Sequence, residues 1–462
     1  MMTLFVKNTL SGKKEEFKPL NDNKVGLYIC GPTVYDSGHL GHGRSAVAFD
    51  IIQKYLRYKG FDVTYISNYT DIDDKMIKRA NEEGISVPNL ADKIIPKYKE
   101  DYGKLRIAKP DKQPRATAFI PQMIDLIQKL MDKGVAYELE DGIYFQIEKF
   151  PDYGKLSHQK LDELRAGSRV EKDFQKKHPH DFVLWKKAKP REPKWDSPWG
   201  EGRPGWHIEC SAMSMHLLGE TFDIHGGGMD LTFPHHEDEI AQSEAATGKK
   251  YVKYWLHNGF INIDDEKMSK SLGNFFTLKE IFEKYDPLAV RYLFLGTHYR
   301  SPINFSDKIL DQAENGLQRI RDFLINLKNY KSKTKNTPNL EKMLSEAIDN
   351  FEKKMDDDFD TAGALGALYS LIKEVNILMK GKLLAEKDQW EIMETMQKMD
   401  SVLSILPEVD ENLDSEVETL IKERNQARAN KDFARSDEIR DELATKGIVL
   451  EDTPEGTIWK KH

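Results

Sequence analysis

"KVGLYICGPTVYDSGHLGHGRSAVAFDIIQKYLRYKGFDVTYISNYTDIDD" occupies residues 24–74 and decides the fold class. Its opening apolar run stops at Gly31-Pro32, which reads as a buried strand delivered into a loop. From about Gly43 apolar residues recur at helical spacing, and Gly60 lies just beyond the end of that helix. "FDVTYISNYTDIDD" then supplies the β-branched and aromatic residues of a second strand. Strand, glycine loop, helix, strand is the opening of a parallel α/β sheet, whose ligands gather at the carboxyl ends of its strands. Cys30 ends one such strand, and Asn68, Thr70 and Asp71 end the next.

Outward from this unit the pattern changes. "FIPQMIDLIQKLMDKG" (119–134) is an amphipathic helix closed by Gly134, and "VAYELEDGIYFQI" (135–147) predicts a hairpin around Asp141-Gly142. "KAKPREPKWDSPWGEGRPGW" (187–206), rich in Pro, Gly and Trp, predicts a loop with little regular structure. Residues 117–205 therefore read as an insertion, after which the sheet is expected to resume through "GWHIECSAM", "FDIHGGGMD" and "YWLHNGFINI". From Asp307 onward the pattern is helical, broken by the lysine-rich "LKNYKSKTKNTPN". The tail, 415–462, puts densely mixed charge on a helix and ends "LEDTPEGTIWKKH".

Bulk composition narrows the function classes. A chain of 462 residues with 39 % hydrophobic and 32 % charged content is expected to form two to four folded domains. It offers no stretch of ~20 uninterrupted apolar residues, so no membrane partner is expected. The start does not read as a secretory signal. Two cysteines cannot build a disulfide framework, and a cytoplasmic location is the expectation. The net charge of −8 is opposite in sign to that of a simple nucleic-acid binder, so any RNA contact must rest on a local positive field. Nothing resembles a long coiled coil, and a monomer is expected.

"FPHHEDE" (233–239) crowds imidazoles and carboxylates together. Pro234 suits a first helical turn, and on the helix that follows His235 and Glu239 lie four apart, on one face, as a half-site for zinc would. A merely solvated helix start is the plainer reading of those acids. Cys30 and Cys210, each following an apolar run, would open onto the same sheet edge, although a free cysteine is more often a small buried hydrophobe. Taken together, Cys30, Cys210, His235 and Glu239 form a donor set for one Zn²⁺ per chain. Ligands spread so widely along the sequence suit a functional ion at the mouth of a fold rather than a structural staple.

Two further strings suggest a nucleotide. "GPTVYDSGHLGHGRS" (31–45) interleaves His39 and His42 with glycines at the start of a helix, where phosphate is favoured and the imidazoles can meet developing charge. "DDEKMSKSLGN" (264–274) holds Lys267 and Lys270 in a polar loop able to bring ammonium groups to a polyphosphate. As a pair, "HLGH" and "KMSKS" resemble the HIGH and KMSKS signatures of the class I aminoacyl-tRNA synthetases, with Leu40 in place of isoleucine. "YICGPTVYD", "NYTDIDDK", "GWHIECSAMS" and "GGGMDLTFPHHEDEIAQSEA" are similar to strings of that family's cysteine-specific branch. The likeness continues to "SDEIRDELATKGIVLEDTPEGTIW" at the end of the chain.

The resemblance implies an α/β fold in which a Rossmann-type catalytic domain (1–116 and 206–265) carries the connective insertion at 117–205. A KMSKS loop and stem-contact region at 266–306, a helical bundle at 307–405 and an anticodon-binding segment at 406–462 would follow. It implies ligation of L-cysteine to tRNA(Cys) with ATP and Mg²⁺, by way of a cysteinyl-adenylate. His39 and His42 would act on the transferring phosphate, and Lys267 and Lys270 on the departing pyrophosphate. Gly41, His42, Asp230 and Lys270 are candidates for ATP contact. Family ligand positions place zinc on the same four side chains, with Thr70 and Trp206 around the bound amino acid. Arg424, Asp437, Arg440, Asp452 and Trp459 become candidates for reading anticodon bases, against the plainer reading of a solvated, ion-paired helix. Two rivals remain: a ligase passing cysteine to a small amine, which would not need the C-terminal segment, and a non-catalytic zinc-bearing RNA binder, which would not need both signatures.

Overall fold

The computed structural model describes residues 3–160, 175–263, 266–267, 276–407, 411–453 and 456–461. The parallel sheet has four strands, β1 (Lys24–Ile29), β2 (Asp62–Ser67), β3 (Phe222–Gly228) and β4 (Val252–Asn258), in the order β4-β3-β1-β2. Every pairing is parallel: Ile29 sits opposite Ser67 on one side and Gly226 on the other. The chain runs β1, α1 (Leu40–Tyr58), β2, and later returns to the far side of β1 with β3. That reversal of strand order opens a crevice at the carboxyl ends of β1 and β3, the usual ligand position in such sheets. Leu27, Ile29, Val47, Phe49, Ile52 and Ile224 are buried in the core that joins α1 to the sheet. α1 begins at Leu40, a turn earlier than its apolar spacing predicts, because His39 caps it.

α2 (Asp74–Glu83) and α3 (Val87–Lys104) follow β2. Within 117–205 the strands Ala136–Leu139, Gly142–Phe145, Phe182–Lys187 and Gly202–Pro204 form a separate antiparallel sheet, including the expected hairpin. The loop reading of 187–206 needs correction at its end, where Gly202–Pro204 pairs with Trp185–Lys187. A three-residue strand with a proline gains its character from its partner, and no period is long enough to show it.

A larger correction concerns "GWHIECSAM". These residues form α4 (Trp206–Leu218), not a strand of the sheet. The run from Ile208 to Ser214 is buried on all sides, so neither a period of two nor of 3.6 is legible in it. Residues Thr232–His236 make one wide helical turn, with Phe233 extended, before α5 (Glu237–Thr247) begins.

Downstream, Ile261–Ile263 pairs with Glu266–Lys267 and, in parallel, with Ile303–Phe305. Helices Asp307–Asn329, Leu340–Met355, Thr361–Lys380 and Gln389–Leu403 form a bundle. The helix Thr361–Lys380 is long and apolar enough by composition to cross a membrane, but it buries Ala364, Leu368, Leu371 and Val375 within the bundle. The C-terminal segment comprises helices Glu411–Ala429 and Phe433–Thr445 and an antiparallel hairpin, Ile448–Thr453 with Gly456–Lys461.

A buried ion pair ties bundle to sheet. Arg291, on the helix Pro287–Leu295, is fully buried and lies 2.7 Å from Asp50 of α1. Its other nitrogens donate to the carbonyls of Leu403 and Leu105, so one guanidinium joins three segments.

Candidate active site and metal centre

The carboxyl ends of β1 and β2 are held together by backbone. Val34 donates to the Thr70 carbonyl and Thr70 to that of Pro32, both at 3.1 Å, while Gly31 N–H donates to Asn68 Oδ1 at 2.9 Å. A Cβ on Gly31 would fall 1.6 Å from the Asn68 carbonyl oxygen, so only glycine allows this approach. The close joint fixes Cys30 at the crevice.

Four donor atoms converge there. Cys30 Sγ lies 3.5 Å from Cys210 Sγ, 3.5 Å from His235 Nε2 and 3.6 Å from Glu239 Oε1, and His235 Nε2 is 3.1 Å from that oxygen. Ligands at zinc distances of ~2.0–2.3 Å on a tetrahedron stand roughly 3.3–3.8 Å apart. The donors fit, in both spacing and type. A second combination, Cys30, His225, His236 and Glu239, also lies within 4.8 Å atom to atom. Cys210 reaches the cluster from the first turns of α4, whereas the sequence suggested a sheet edge.

Around these atoms lies a shell of histidines. His225 Nε2 is 2.8 Å from Glu239 Oε2, to which Tyr251 O–H donates at 3.2 Å. His207 Nδ1 is 2.9 Å from His235 Nδ1, and His236 bonds His257 at 2.8 Å. Burial drives the imidazoles of His235 and His236 well below their ordinary value, and those of His207 and His257 down to about 3. They are therefore neutral, the form that binds metal. Burial also pushes the Cys30 thiol up, with its bond to Cys210 adding to the effect. A divalent cation held by these donors would release both sulfurs as thiolates.

The helix signature adjoins this cluster. Gly41 N–H donates to His39 Nδ1 at 3.1 Å and His39 N–H to His42 Nδ1 at 3.3 Å, a capping box made from histidines instead of Ser and Glu. With Nδ1 accepting, each ring carries its proton on Nε2. The rings stand 3.7 Å apart, centre to centre. Leu40 N–H donates to the Phe276 carbonyl and Leu278 N–H to that of Gly38, so the segment following "KMSKS" is bonded to the backbone of "HLGH". A Cβ on Gly43 would fall 2.9 Å from Leu278, which accounts for a glycine inside α1. Lys267 lies on the strand Glu266–Lys267, and Lys270 lies outside the described residues.

A cavity of about 610 Å³ runs along the carboxyl ends of all four strands. Cys30, His39, Gly41, His42, Trp206 and Asp230 line it. Trp206 stacks on His235 at 4.2 Å. Thr70 stands behind the wall, its hydroxyl donating to the buried Glu209 at 3.1 Å.

Residues 16–315 match the model of the class I (C) tRNA synthetase catalytic domain, 350–407 the DALR domain, and 410–459 the cysteinyl-tRNA ligase anticodon binding domain. A cysteine–tRNA ligase of Syntrophotalea carbinolica is 51 % identical over 484 residues, covering 99 % of this chain and 100 % of that one. One of Geobacillus thermodenitrificans is 50 % identical over 465 residues, with 100 % of both covered. The chain belongs to the cysteinyl-tRNA ligase family of class I aminoacyl-tRNA synthetases.

The fold of that class is recognisable even where sequence has diverged. Mycobacterium tuberculosis methionyl-tRNA synthetase, in complex with methionyl-adenylate, superposes with a TM-score of 0.60 at 16 % identity, covering 83 % of this chain and 90 % of that one. The LeuRS of Agrobacterium radiobacter K84 does so with 0.62 at 11 %, covering 84 % and 85 %.

Against this family background the C-terminal candidates separate. Asp437 and Arg440 are exposed and paired at 3.2 Å. Arg424 is 7 % exposed and donates to Thr457 at 3.3 Å, a contact between helix and hairpin. Asp452 and Trp459 lie on the two hairpin strands, and their side chains fall outside the described residues. Sequence reading missed His207, His225, His236, His257 and Glu209. The available signal was a histidine at or beside the end of each apolar run, in "WHIEC", "DIHGG" and "WLHNG".

Proposed function

We propose that this chain ligates L-cysteine to tRNA(Cys) in two ATP-dependent steps, with the sulfur-rich cluster choosing the amino acid. In the first step a carboxylate oxygen of cysteine bonds to the α-phosphorus of ATP. The bond to the bridging oxygen breaks, and pyrophosphate leaves with its electron pair. In the second a ribose hydroxyl of the terminal adenosine attacks the adenylate carbonyl, AMP departs, and the hydroxyl proton passes to it. The protein's contribution is placement and electrostatics. His39 and His42 present Nε2–H to the transferring phosphate at the N-terminus of α1, and Lys267 and Lys270 meet the departing pyrophosphate. Gly41 and Asp230 contact ATP, whose Mg²⁺ accompanies the phosphates. Trp206 closes over the amino acid, while Thr70 supports the pocket from behind through Glu209.

Cys30, Cys210, His235 and Glu239 would hold the zinc, and the presence of two sulfurs favours this set over the one with His225 and His236. A zinc ion there supplies a soft electrophile that stabilises a thiolate and gains little from a serine hydroxyl. Size alone would separate the two amino acids by only ~10²-fold. The chain divides into a catalytic domain (1–116 and 206–265), an insertion (117–205), a KMSKS loop and stem-contact region (266–306), a helical bundle (307–405) and an anticodon-binding segment (406–462), in which Arg424, Asp437, Arg440, Asp452 and Trp459 are the anticodon-facing candidates. Residues 410–459 argue against an amine-acylating relative.

The observation that carries this reading is the convergence of two sulfurs, one imidazole and one carboxylate beside the signature helix. Its test is metal content together with amino-acid-dependent ATP–pyrophosphate exchange, in wild type and Cys210→Ser. One zinc per chain and a preference for cysteine well beyond ~10²-fold, both lost in the variant, is the expected result. Retained zinc in Cys210→Ser would move the ion to the alternative set. Retained discrimination without metal would refute the zinc account.

A further inference from the structure

Arg44 stands two residues beyond His42 on α1 and is 2 % exposed. A buried guanidinium is ordinarily matched by a carboxylate, as Arg291 is by Asp50. Among the described residues Arg44 has no such partner. Burial alone acts on it and lowers its pKa to about 10, so it is charged at neutral pH. Its donors go to backbone. Nε donates to the Gly259 carbonyl at 3.2 Å, and Nη2 is shared among the carbonyls of His298 at 3.4 Å, Tyr299 at 3.3 Å and Ser301. Val47, Ile51 and Phe294 share a small cavity with it, so an apolar side chain would cost less to bury there.

The four carbonyls belong to two chain segments that enter neighbouring strands. Gly259 leads into Ile261–Ile263, and Ser301 into the parallel Ile303–Phe305. Gly259 N–H donates to the Tyr299 carbonyl at 2.8 Å, and Ile303 N–H to that of Phe260 at 3.0 Å. A Cβ on Gly259 would fall 2.6 Å from the Ser301 carbonyl oxygen, so the two entrances meet backbone to backbone. Ile261–Ile263 bears the strand of Lys267 on its other edge, and Asn258–Ile261 walls the cavity that Asp230 also lines. From the far side Asp358, in the turn between two bundle helices, accepts from Arg300 Nε at 2.8 Å and from the Tyr299 hydroxyl at 3.1 Å.

We propose that Arg44 is a positioning residue for ATP: from the helix that the first signature opens, it fixes the distance to the wall that leads to the second. A planar fork of donors holds carbonyls of two segments at once, which a lysine ammonium does not. Gly259, Phe260 and Lys267 then stand at a set separation from His39 and His42, as orientation at a transferring phosphate demands. Arg44 itself does not line the cavity. The proposal rests on the two-step reading above and adds to it a residue that touches no substrate.

The test compares full-length Arg44→Met and Arg44→Lys in cysteine-dependent ATP–pyrophosphate exchange, with active sites counted by the burst of adenylate. In both variants kcat per active site is expected to fall by up to about 10²-fold, the scale of a ~1 Å misplacement, and KM for ATP to rise roughly tenfold. KM for cysteine and zinc content should stay within about twofold of wild type, because the amino-acid end is untouched. Three of the four carbonyls keep another donor, from Asn258, Ser301 and Gly259, so the fold should persist. A merely structural role would lower the melting temperature and the number of active sites while leaving KM for ATP unchanged, and that result would overturn the proposal. Recovery by Arg44→Lys would overturn it too, since charge without the fork would then suffice. Gly259→Ala pushes the same carbonyls off an intact Arg44 and decides the matter should Arg44→Met not fold. It should raise KM for ATP in the same way, and an unchanged value would refute the clamp. Absence of exchange in wild type would instead refute the activity itself, whatever the variants show.

Discussion

The sulfurs of Cys30 and Cys210 lie 3.5 Å apart although 180 residues separate them in the chain. One ends the central strand of the sheet, and the other comes from the first turns of a helix that follows the insertion. Their meeting depends on how closely β1 and β2 approach and on how α4 and α5 pack against that edge.

Gly31→Ala tests the first of these conditions. The added methyl would overlap the Asn68 carbonyl, and backbone cannot yield as a flexible side chain does. Stability should drop by about 1–3 kcal/mol or more, in the range of overpacked cores, and zinc content should fall with it. Gly366→Ala is the contrast. Nothing lies within 4 Å of its Cβ on the helix Thr361–Lys380, and helix propensity should add about 0.5–1 kcal/mol. Chemical denaturation of both variants measures the difference in sign.

Tyr251→Phe removes a hydroxyl that donates to Glu239 Oε2 and leaves the ring in place. A partner that orients a ligand carboxylate typically contributes 10- to 100-fold in metal affinity, and a loss of about tenfold is expected. Competition for zinc against a chromophoric chelator reads it directly. An unchanged affinity would leave His225 as the sole support of that oxygen.

Arg291→Met leaves Asp50 without its guanidinium in a site closed to water. Removing one partner of a buried pair costs about 3–5 kcal/mol. Here Lys54, 2.8 Å from Asp50, should hold the loss near the lower end. Because the same guanidinium holds Leu403, the variant should also show faster proteolysis between bundle and C-terminal segment. Arg291→Met with wild-type stability and cleavage would mean that the joint is held elsewhere.

Asp101 on α3 supplies a pH dependence. Burial raises its carboxyl from the ordinary 3.8 to about 6, with Lys104 opposing the effect. A carboxyl that holds its proton more tightly when folded adds stability that is complete below pH ~4 and disappears as pH rises through about 6. Asp101→Asn should therefore be more stable than wild type by about 1 kcal/mol at pH 7, after allowance for solvent and the nearby lysine. The gain should vanish near pH 4. Melting curves across that interval would expose a contrary sign.

Much of this protein could be read from local signals, because local physics produces them. The strand–loop–helix–strand opening, the two signatures and the four donor residues are matters of residue type, period and spacing, which a chain displays before it folds. The insertion's hairpin and the helical bundle are likewise short-range patterns. What resisted reading were elements whose character comes from their neighbours. α4 is buried all round and shows no period, and Gly202–Pro204 is a strand only because Trp185 stands beside it. The histidine shell was decided only in three dimensions. It depends on which side chains meet across the ends of four strands, and burial is a property of that meeting and not of any residue alone.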